Sequence, residues 1–348
     1  MEEIKKRQSL YFTGKRTVSV KEETLPMMNF DQVLVQTMIS AISSGTELLI
    51  YRGAAPEELP TDETIRALSG KLTFPLKYGY SVVGRVIKTG AAVDPSWLNK
   101  TIFSFHPHEN LFNATLDEII DIPEDIMPDD AVFMPNMETA LTLVMDGQPM
   151  IGEQVVVCGQ GIVGLLLTAL LAQFPLGRLI TLDYYERRRR ISVSLGAHAS
   201  LDSAEPNVLE HIRSELNATG MHQGAELVYE VSGNPDALNQ AVAVAGYNGR
   251  IVIGSWYGTK IANLNLGVGF HRSRIKLMAS QVSTIAPRFT GQWTSSRRIW
   301  QAWNMLRVIR PSGHFITHRI PFTDAATAYE LIDKSPDNTL QVILTFGS

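Results

Sequence analysis

One short segment carries three glycines at the spacing of a phosphate-binding loop. Residues 159–164 read Gly-Gln-Gly-Ile-Val-Gly, directly after the apolar run Gln154–Cys158 and before the apolar run Leu165–Gln173. In such a loop the first glycine permits a tight turn, the second lets the backbone approach a pyrophosphate, and the third lets the helix pack closely on the strand. The free N–H groups at the helix start favour the phosphate charge. The predicted dinucleotide contacts are Gly159, Gly161, Ile162, Val163 and Gly164.

An acidic residue stands where a ribose-binding group is expected. Asp183 ends the next apolar run, Leu179–Asp183, about 20 residues after the glycines. A carboxylate there accepts hydrogen bonds from both ribose hydroxyls and repels a 2′-phosphate, which favours NAD(H) over NADP(H). The arginine run at 187–190 begins four residues later and could hold a 2′-phosphate. NADP(H) therefore stays open, and Arg188 is a further candidate contact.

The elements around these residues change in type along the chain. Up to residue 130, short β-branched runs predict strands, among them Val18–Val20, Val33–Ile39 and Ser81–Ile87. One helix is predicted there, at Asp62–Leu68, with a proline ahead of it and a glycine behind. After residue 130, apolar runs alternate with helical patterns, which predicts βαβ units in a doubly wound parallel sheet.

The predicted organisation is an α/β domain inserted into a β-rich one. The β-rich part covers residues 1–130 and the dinucleotide-binding domain residues 131–283. The chain then returns to the β-rich part over residues 284–348, where helices are predicted at Trp300–Val308 and Asp324–Lys334.

Composition excludes several other classes of protein. The 348 residues carry 31 Lys and Arg against 35 Asp and Glu, a net charge of −4 without a long basic stripe, which argues against a nucleic-acid binder. The single cysteine, Cys158, excludes an intrachain disulfide and a multi-cysteine metal site. The most apolar stretch, Leu165–Ala172, is far shorter than the ~20 residues of a membrane span, and the charged residues after Met1 predict no signal peptide. We therefore predict a cytoplasmic protein that is not inserted in a membrane.

The order of the domains and several short motifs resemble the medium-chain dehydrogenase/reductase superfamily, which includes zinc alcohol dehydrogenases and quinone reductases. Besides the glycine loop, the similar segments are Ser44–Glu47, Phe74–Val86, Val228–Gly233 and Gly249–Gly254. The resemblance extends over nearly the whole chain. It implies that the β-rich part is a GroES-like barrel and that the active site lies in the cleft between the domains. It also implies a homodimer, joined by edge strands near Ile275–Val282 of the nucleotide-binding domains.

The positions that match the zinc ligands of this superfamily hold other residue types. Where zinc-binding members have the cysteine of Cys-Gly-Thr-Asp, this chain has Ser44, and Tyr80 replaces the histidine of Gly-His-Glu. Pro135 aligns with the third ligand, and the four-cysteine lobe that holds a structural zinc is missing. Because Zn²⁺ prefers thiolate, imidazole or carboxylate ligands, we predict no catalytic zinc.

Without a metal, hydrogen-bond donors must stabilise the charge that develops on the substrate oxygen during hydride transfer. Thr46 aligns with a family hydroxyl that contacts this oxygen, and it is the first candidate. The Tyr80 phenol would lie near the vacated metal position and could donate a proton. Ser44 flanks that position, and Glu47 could orient Tyr80 or Arg85, or bind substrate.

Further candidates lie outside these two motifs. His106 and His108 are alternative acids at the edge of the barrel, and Glu138 is either a cleft acid or an early-turn acid that complements the helix dipole. By family position, the turn after the strand Gly249–Ile253 lies beside the nicotinamide carboxamide. The predicted contacts on that side are Ser232, Gly254, Ser255 and Trp256.

The substrate is the least defined part of the prediction. Trp256 and Tyr257 would wall a broad apolar pocket with the aromatic residues Tyr51, Phe74, Tyr78, Trp293 and Trp300. The segments Gly45–Glu47, Gly79–Val86 and Val231–Gly233 are most similar to bacteriochlorophyllide a dehydrogenases, which oxidise a hydroxyethyl group on a tetrapyrrole. The stretch Arg52–Lys71 is either a lid over the cleft or a surface insertion.

We therefore predict a zinc-independent oxidoreductase that transfers a hydride between NAD(P)(H) and an alcohol/carbonyl pair on a bulky apolar substrate. One alternative is an NAD(P)H-dependent reductase of C=C bonds or quinones. The other is a nucleotide-binding protein without turnover, which the loss of all metal ligands would fit. The intact glycine loop and ribose acid favour a protein that still uses its cofactor.

Overall fold

The computed structural model of the protein describes residues 6–216 and 223–347. Contacts divide the chain into two units. Unit 1 runs to Pro135 and resumes at Arg310, and unit 2 comprises Asn136–Ile309.

The first segment of unit 1 is rich in strands. Its strands are β1 (Lys6–Gly14), β2 (Thr17–Thr24), β3 (Gln32–Ala41), β4 (Val82–Thr89), β5 (Thr101–Ser104), β6 (Leu111–Thr115) and β7 (Ile119–Asp121), and its helices are α1 (Thr46–Tyr51) and α2 (Pro128–Ala131). β1 and β2 form an antiparallel hairpin, and β3 pairs antiparallel with both β4 and β6. Val33, Val35, Val82 and Val86 of β3 and β4 are fully buried in one core, as expected of β-branched residues on the inner face of a sheet.

The helix predicted at Asp62–Leu68 is wrong, because this segment forms turns. The Asp62 carboxylate accepts hydrogen bonds from the backbone N–H groups of Thr64 and Ile65, at 2.7 and 2.9 Å, and so stabilises a local turn instead of a helix. Leu68 is buried in the core of unit 1 and anchors the segment. A lid at Arg52–Lys71 stays a prediction.

Unit 2 contains the predicted parallel sheet. The elements that follow α2 are α3 (Met134–Gly147), β8 (Gln154–Cys158), α4 (Ile162–Leu171), β9 (Arg178–Asp183), α5 (Glu186–Ser194), β10 (Ala199–Asp202), α6 (Val208–Glu215), β11 (Ala225–Glu230), α7 (Ala237–Val244), β12 (Ala245–Ile253), β13 (Lys276–Ala279) and α8 (Ser295–Ile309). Within the described residues, the strands pair in parallel in the order β10-β9-β8-β11-β12-β13. The chain therefore leaves β8 first toward β9 and later toward β11, which makes β8 the switch point of a doubly wound sheet.

Helix α8 belongs to unit 2, so unit 1 resumes at Arg310 and not at the predicted position 284. Arg298 on this helix is buried and donates to the Glu138 carboxylate of α3 at 3.0 Å. Burial raises the pKa of Glu138, and the arginine counteracts this. Glu138 is thus half of an internal ion pair and not an acid that caps the first turn of α3.

The second segment of unit 1 completes its sheet. Its elements are α9 (Ser312–Phe315), β14 (Ile316–Pro321), α10 (Ala325–Lys334) and β15 (Gln341–Thr345). β15 lies between β14 and β3, which gives the order β14-β15-β3-β4-β5-β7 among the described residues. In the described ranges, the structure has no helix with the length and apolar character needed to cross a membrane.

Candidate functional site

The glycine loop of unit 2 has the geometry that its sequence predicts. Gly159 has φ +98°, in the left-handed region, and a Cβ there would lie 2.5 Å from the Ser232 Cα. A Cβ on Gly164 would lie 2.0 Å from the Gly159 carbonyl oxygen, so the helix could not approach the loop with any larger residue. A Cβ on Gly161 would meet nothing within 4 Å. The protein itself does not need a glycine at 161, whereas close approach of a pyrophosphate does.

Asp183, the predicted ribose-binding residue, is held by a hydrogen bond from the glycine loop. Asp183 ends β9 with 7% of its surface exposed, and its Oδ2 accepts a hydrogen bond from the Gln160 N–H at 2.7 Å. Its Oδ1 accepts from the Tyr185 N–H at 2.9 Å. Since a carboxylate offers about four acceptor positions, these two bonds leave capacity for ribose hydroxyls. The donor set therefore fits the adenosine end of a dinucleotide.

A cation stands beside this acid. The guanidinium of Arg188 lies 4.8 Å from the centre of the Tyr185 ring, and its Nη1 is 3.9 Å from Asp183 Oδ2. Asp183, which would disfavour a 2′-phosphate, and Arg188, which could hold one, are thus neighbours. The preference for NAD(H) stays a prediction.

The other predicted cofactor contacts lie at the carboxyl ends of β11 and β12. The Gly254 N–H donates to the Glu230 carbonyl at 2.9 Å, and the Gly233 N–H donates to Ser255 Oγ at 2.9 Å. The structure therefore brings Ser255 and Gly254 together with the loop that contains Ser232. Trp256 is 39% exposed.

In unit 1, three hydroxyl groups form a cluster at the start of α1. The Tyr80 phenol donates a short hydrogen bond to Ser43 Oγ, and Thr46 Oγ1 lies 3.4 Å from the Tyr80 oxygen. Burial raises the pKa of Tyr80, and the hydrogen bonds to Ser43 and Thr46 counteract it. Because the net direction is upward, the phenol keeps its proton at neutral pH and can act as a donor.

Ser43 is the residue that sequence reasoning missed. The prediction placed Ser44 beside Tyr80, but among the described residues it is Ser43 that bonds the phenol. The two serines are adjacent, so the motif located the right turn and the wrong hydroxyl. A residue's direction in a turn depends on backbone geometry that a motif does not encode.

Glu47 has a different role from the predicted one. It is fully buried, so it cannot contact a substrate, and it does not bond Tyr80 or Arg85. Its Oε1 accepts from the Ser43 N–H at 2.7 Å, and its Oε2 accepts from Tyr329 and from His108 Nε2. Glu47 therefore holds the turn that carries the hydroxyl cluster.

The two histidines predicted as alternative acids both have hydrogen-bond partners within unit 1. His108 is fully buried, with Nδ1 2.7 Å from Ser40 Oγ and Nε2 3.0 Å from Glu47. His106 stacks on Phe112 and lies 3.1 Å from Glu109. Neither histidine belongs to the hydroxyl cluster.

The glycine before Tyr80 is explained by the same buried pair. Gly79 has φ +115°, and a Cβ there would lie 2.6 Å from His108 Nε2. A side chain at this position would displace the histidine from Glu47. Gly79 therefore serves the packing beneath the hydroxyl cluster.

The aromatic residues predicted to line a pocket differ in how deeply they are buried. Tyr51 and Tyr78 are buried in the core of unit 1, against which Phe74 packs, whereas Trp300 on α8 is 63% exposed. Tyr51, Phe74 and Tyr78 therefore contribute to the core of unit 1, and a broad apolar pocket stays a prediction.

The donors at the predicted ligand positions do not fit a zinc ion. The cluster offers hydroxyls, the Pro135 side chain has no ligand atom, and Glu47 is already bonded to three donors. In the part of the chain that the structure describes, no group of three or more His, Cys, Asp or Glu side chains is arranged to hold a metal.

Comparison with known proteins matches both units. A family model described as zinc-binding dehydrogenase matches residues 163–294. D-guloside 3-dehydrogenase of Escherichia coli (strain K12) is 23% identical, with 97% of this chain and 100% of that protein covered. A solved short chain alcohol dehydrogenase from Escherichia coli CFT073, complexed with NADH, has a TM-score of 0.76 at 18% identity and covers 98% of this chain and 100% of its own. A zinc-binding dehydrogenase from Sinorhizobium meliloti 1021, bound to NADP, has a TM-score of 0.75 at 17% identity and covers 98% and 99%. These similarities confirm the predicted fold class, a Rossmann sheet with a GroES-like β-rich part.

Proposed function

The chain belongs to the medium-chain dehydrogenase/reductase superfamily, and from this premise we propose that it transfers a hydride between NAD(P)(H) and an alcohol/carbonyl pair. The observation that carries this activity is the Tyr80 phenol, which is protonated, partly exposed and bonded to two further hydroxyls. A protonated donor of this kind is what an oxygen that gains negative charge requires.

The residues of unit 2 fit the cofactor in two parts. The backbone of 159–164 would hold the pyrophosphate, and Asp183 would accept from the ribose, with Arg188 beside it. When bound, the nicotinamide supplies or accepts the hydride. NAD(H) is favoured because Asp183 is buried at the position where a 2′-phosphate would add negative charge.

The hydroxyl cluster of unit 1 would supply the proton that the substrate oxygen needs. In the reducing direction, hydride adds to the carbonyl carbon, the C=O π pair moves to oxygen, and Tyr80 Oη gives its proton to that oxygen. Ser43 and Thr46 then donate to the phenolate, which water reprotonates. In the oxidising direction, Tyr80 first loses its proton to water, and the phenolate, held by Ser43 and Thr46, takes the proton of the alcohol as the hydride leaves the carbinol carbon for the nicotinamide.

This mechanism is zinc-independent. The charge on oxygen is stabilised by Tyr80 and Thr46, where zinc-binding relatives use a metal. The relative named D-guloside 3-dehydrogenase supports a hydroxyl-bearing small molecule as substrate.

The test follows absorbance of the nicotinamide band with purified protein. The panel contains glycosides and apolar alcohols with NAD⁺ or NADP⁺, and ketones, enones and quinones with NADH or NADPH. Turnover of an alcohol or ketone that persists after zinc chelation supports the proposal. Turnover confined to enones or quinones would reassign the protein to the C=C and quinone reductases. NADH binding without any turnover would favour a nucleotide-binding protein.

A further inference from the structure

Glu230 is a buried carboxylate at the carboxyl end of β11, and the proposed chemistry does not use it. It is fully buried and stands opposite Cys158 of β8 in the sheet register. Its Oε1 accepts from the Ser232 N–H at 2.8 Å and from Ser232 Oγ at 2.5 Å. Its Oε2 accepts a short hydrogen bond from the Tyr257 phenol. No basic side chain pairs with it among the residues that the structure describes, so these donors alone stabilise it.

These bonds join two loops. Ser232 lies in the loop after β11, and Tyr257 lies in the loop after β12. The same loops are linked by the Gly233 N–H to Ser255 Oγ, at 2.9 Å, and by Lys260 Nζ to the Gly233 carbonyl, at 2.7 Å. Burial and then the Glu230 charge raise the pKa of Tyr257, so this phenol remains a donor.

The position of the loops in the sheet says what they would hold. A dinucleotide crosses a doubly wound sheet at the switch point, with one mononucleotide half on each side. Asp183, on the β9 side of β8, marks the adenosine half. The other half must then lie over β11 and β12, whose loops Glu230 joins. Gly159 packs against the Ser232 backbone, so the pyrophosphate loop and these two loops form one continuous surface.

We propose that Glu230 and Tyr257 are positioning residues for the nicotinamide half of the cofactor: they fix the loops after β11 and β12 in the conformation that receives it. This inference rests on the proposed use of NAD(P)(H). A loop that is fixed before binding loses less conformational freedom when the ligand arrives, so removal of the hydrogen bonds of Glu230 to Ser232 and Tyr257 weakens binding of the nicotinamide half alone. The adenosine half, which lies on the other side of the switch point, keeps its affinity.

The test compares two ligands by calorimetry. NADH carries both halves, whereas ADP-ribose lacks the nicotinamide ring. For Tyr257→Phe we expect the Kd of NADH to rise by about tenfold, which is about 1.4 kcal/mol, while the Kd of ADP-ribose stays within about twofold. Glu230→Leu removes both carboxylate oxygens that accept from Ser232 and Tyr257. It should also weaken NADH binding selectively, with a larger rise in Kd. The matched control is Tyr247→Phe, the same change at a 49% exposed tyrosine of β12.

Each outcome decides one question. ADP-ribose binding also reports that the variant is folded, so a misfolded variant would lose both ligands. Equal losses for both ligands in a variant that keeps the thermal unfolding transition of the wild-type protein, or an unchanged NADH affinity, would overturn the positioning role and leave the proposed function intact. If the wild-type protein binds neither ligand, the proposed function fails, and the positioning role with it.

Discussion

Glu47 and His108 face each other inside unit 1, with Oε2 and Nε2 3.0 Å apart and neither side chain exposed. The two residues are far apart in the sequence, and their contact supports the turn that carries the hydroxyl cluster. Ser40 bonds Nδ1, the other ring nitrogen of His108, and Tyr329 donates to the Glu47 carboxylate. A fully satisfied polar group of this kind fixes one conformation of the turn above it.

Loss of His108 should destabilise the protein, because Glu47 would remain buried with one donor fewer and a cavity beside it. We expect His108→Ala to lower the free energy of unfolding by about 2–4 kcal/mol, measured by urea denaturation. Tyr329→Phe, which removes a donor without a large cavity, should cost less. A loss below about 1 kcal/mol for His108→Ala would contradict the supporting role.

Changes in the hydroxyl cluster should affect turnover more than cofactor binding. Tyr80→Phe and Thr46→Val are expected to lower kcat by about 10²–10⁴-fold, the range typical of a lost proton donor, with NADH affinity unchanged. Ser43→Ala should lower kcat more than Ser44→Ala, since Ser43 is the one of these two serines that bonds the phenol. Steady-state kinetics on the substrate found in the panel checks this order, and the reverse order would restore the sequence-based choice of Ser44.

Two glycines of the phosphate loop should separate binding from stability. Gly161→Ala adds a Cβ into open space, so we expect unchanged stability and at least about a tenfold loss of NADH affinity, as the pyrophosphate is kept away. Gly164→Ala forces a Cβ against the Gly159 carbonyl and should cost about 1–3 kcal/mol of stability. Thermal unfolding and calorimetry distinguish them. NADH binding that survives Gly161→Ala unchanged would place the pyrophosphate elsewhere.

The choice of cofactor should follow the acid at the end of β9. NADH is expected to bind more tightly than NADPH, and Asp183→Ser should narrow the difference because it removes the charge that opposes a 2′-phosphate. Arg188→Ala should weaken NADPH more than NADH, since the guanidinium stands beside Asp183. Calorimetry with both cofactors measures this. A wild-type preference for NADPH would refute the prediction.

Stability should fall in acid partly because of Glu23. Burial alone would raise the pKa of Glu23, but hydrogen bonds from Tyr11, Ser9 and Lys77 outweigh it and lower the pKa from 4.5 to about 2. Because the folded pKa is the lower one, this stabilisation is present above about pH 4.5 and is lost as the pH falls toward about 2. Glu23→Gln should therefore flatten the pH dependence of unfolding in that window. The control is Glu22→Gln, at the exposed neighbour, and parallel curves for both variants would contradict the prediction.

The glycine unit was predictable because its information is local. The strand Gln154–Cys158 has the predicted bounds, and Gly159 and Asp183 have the geometry that their spacing implied. The turn at Asp62 was mistaken for a helix because a side chain competed for the backbone N–H groups.

The support of the hydroxyl cluster could not be predicted in the same way. His108 and Tyr329 reach Glu47 from distant parts of the sequence, and no periodicity reports such a contact. Glu230 lay inside a recognised motif, but its bond to Tyr257 joins two separate loops. A buried carboxylate with several donors becomes visible only when the fold brings those donors together.

The place of β15 in unit 1 has a consequence for the order of folding during synthesis. This strand lies between β14 and β3, and Ile343 pairs with Ala41, so the sheet joins the two chain segments of unit 1. A chain that emerges from the ribosome amino end first has all the strands of unit 2 before β14 exists. Tyr329, which bonds Glu47, also emerges late. Unit 2 can therefore mature on a nascent chain, whereas the hydroxyl cluster obtains its complete support only after Tyr329 has emerged.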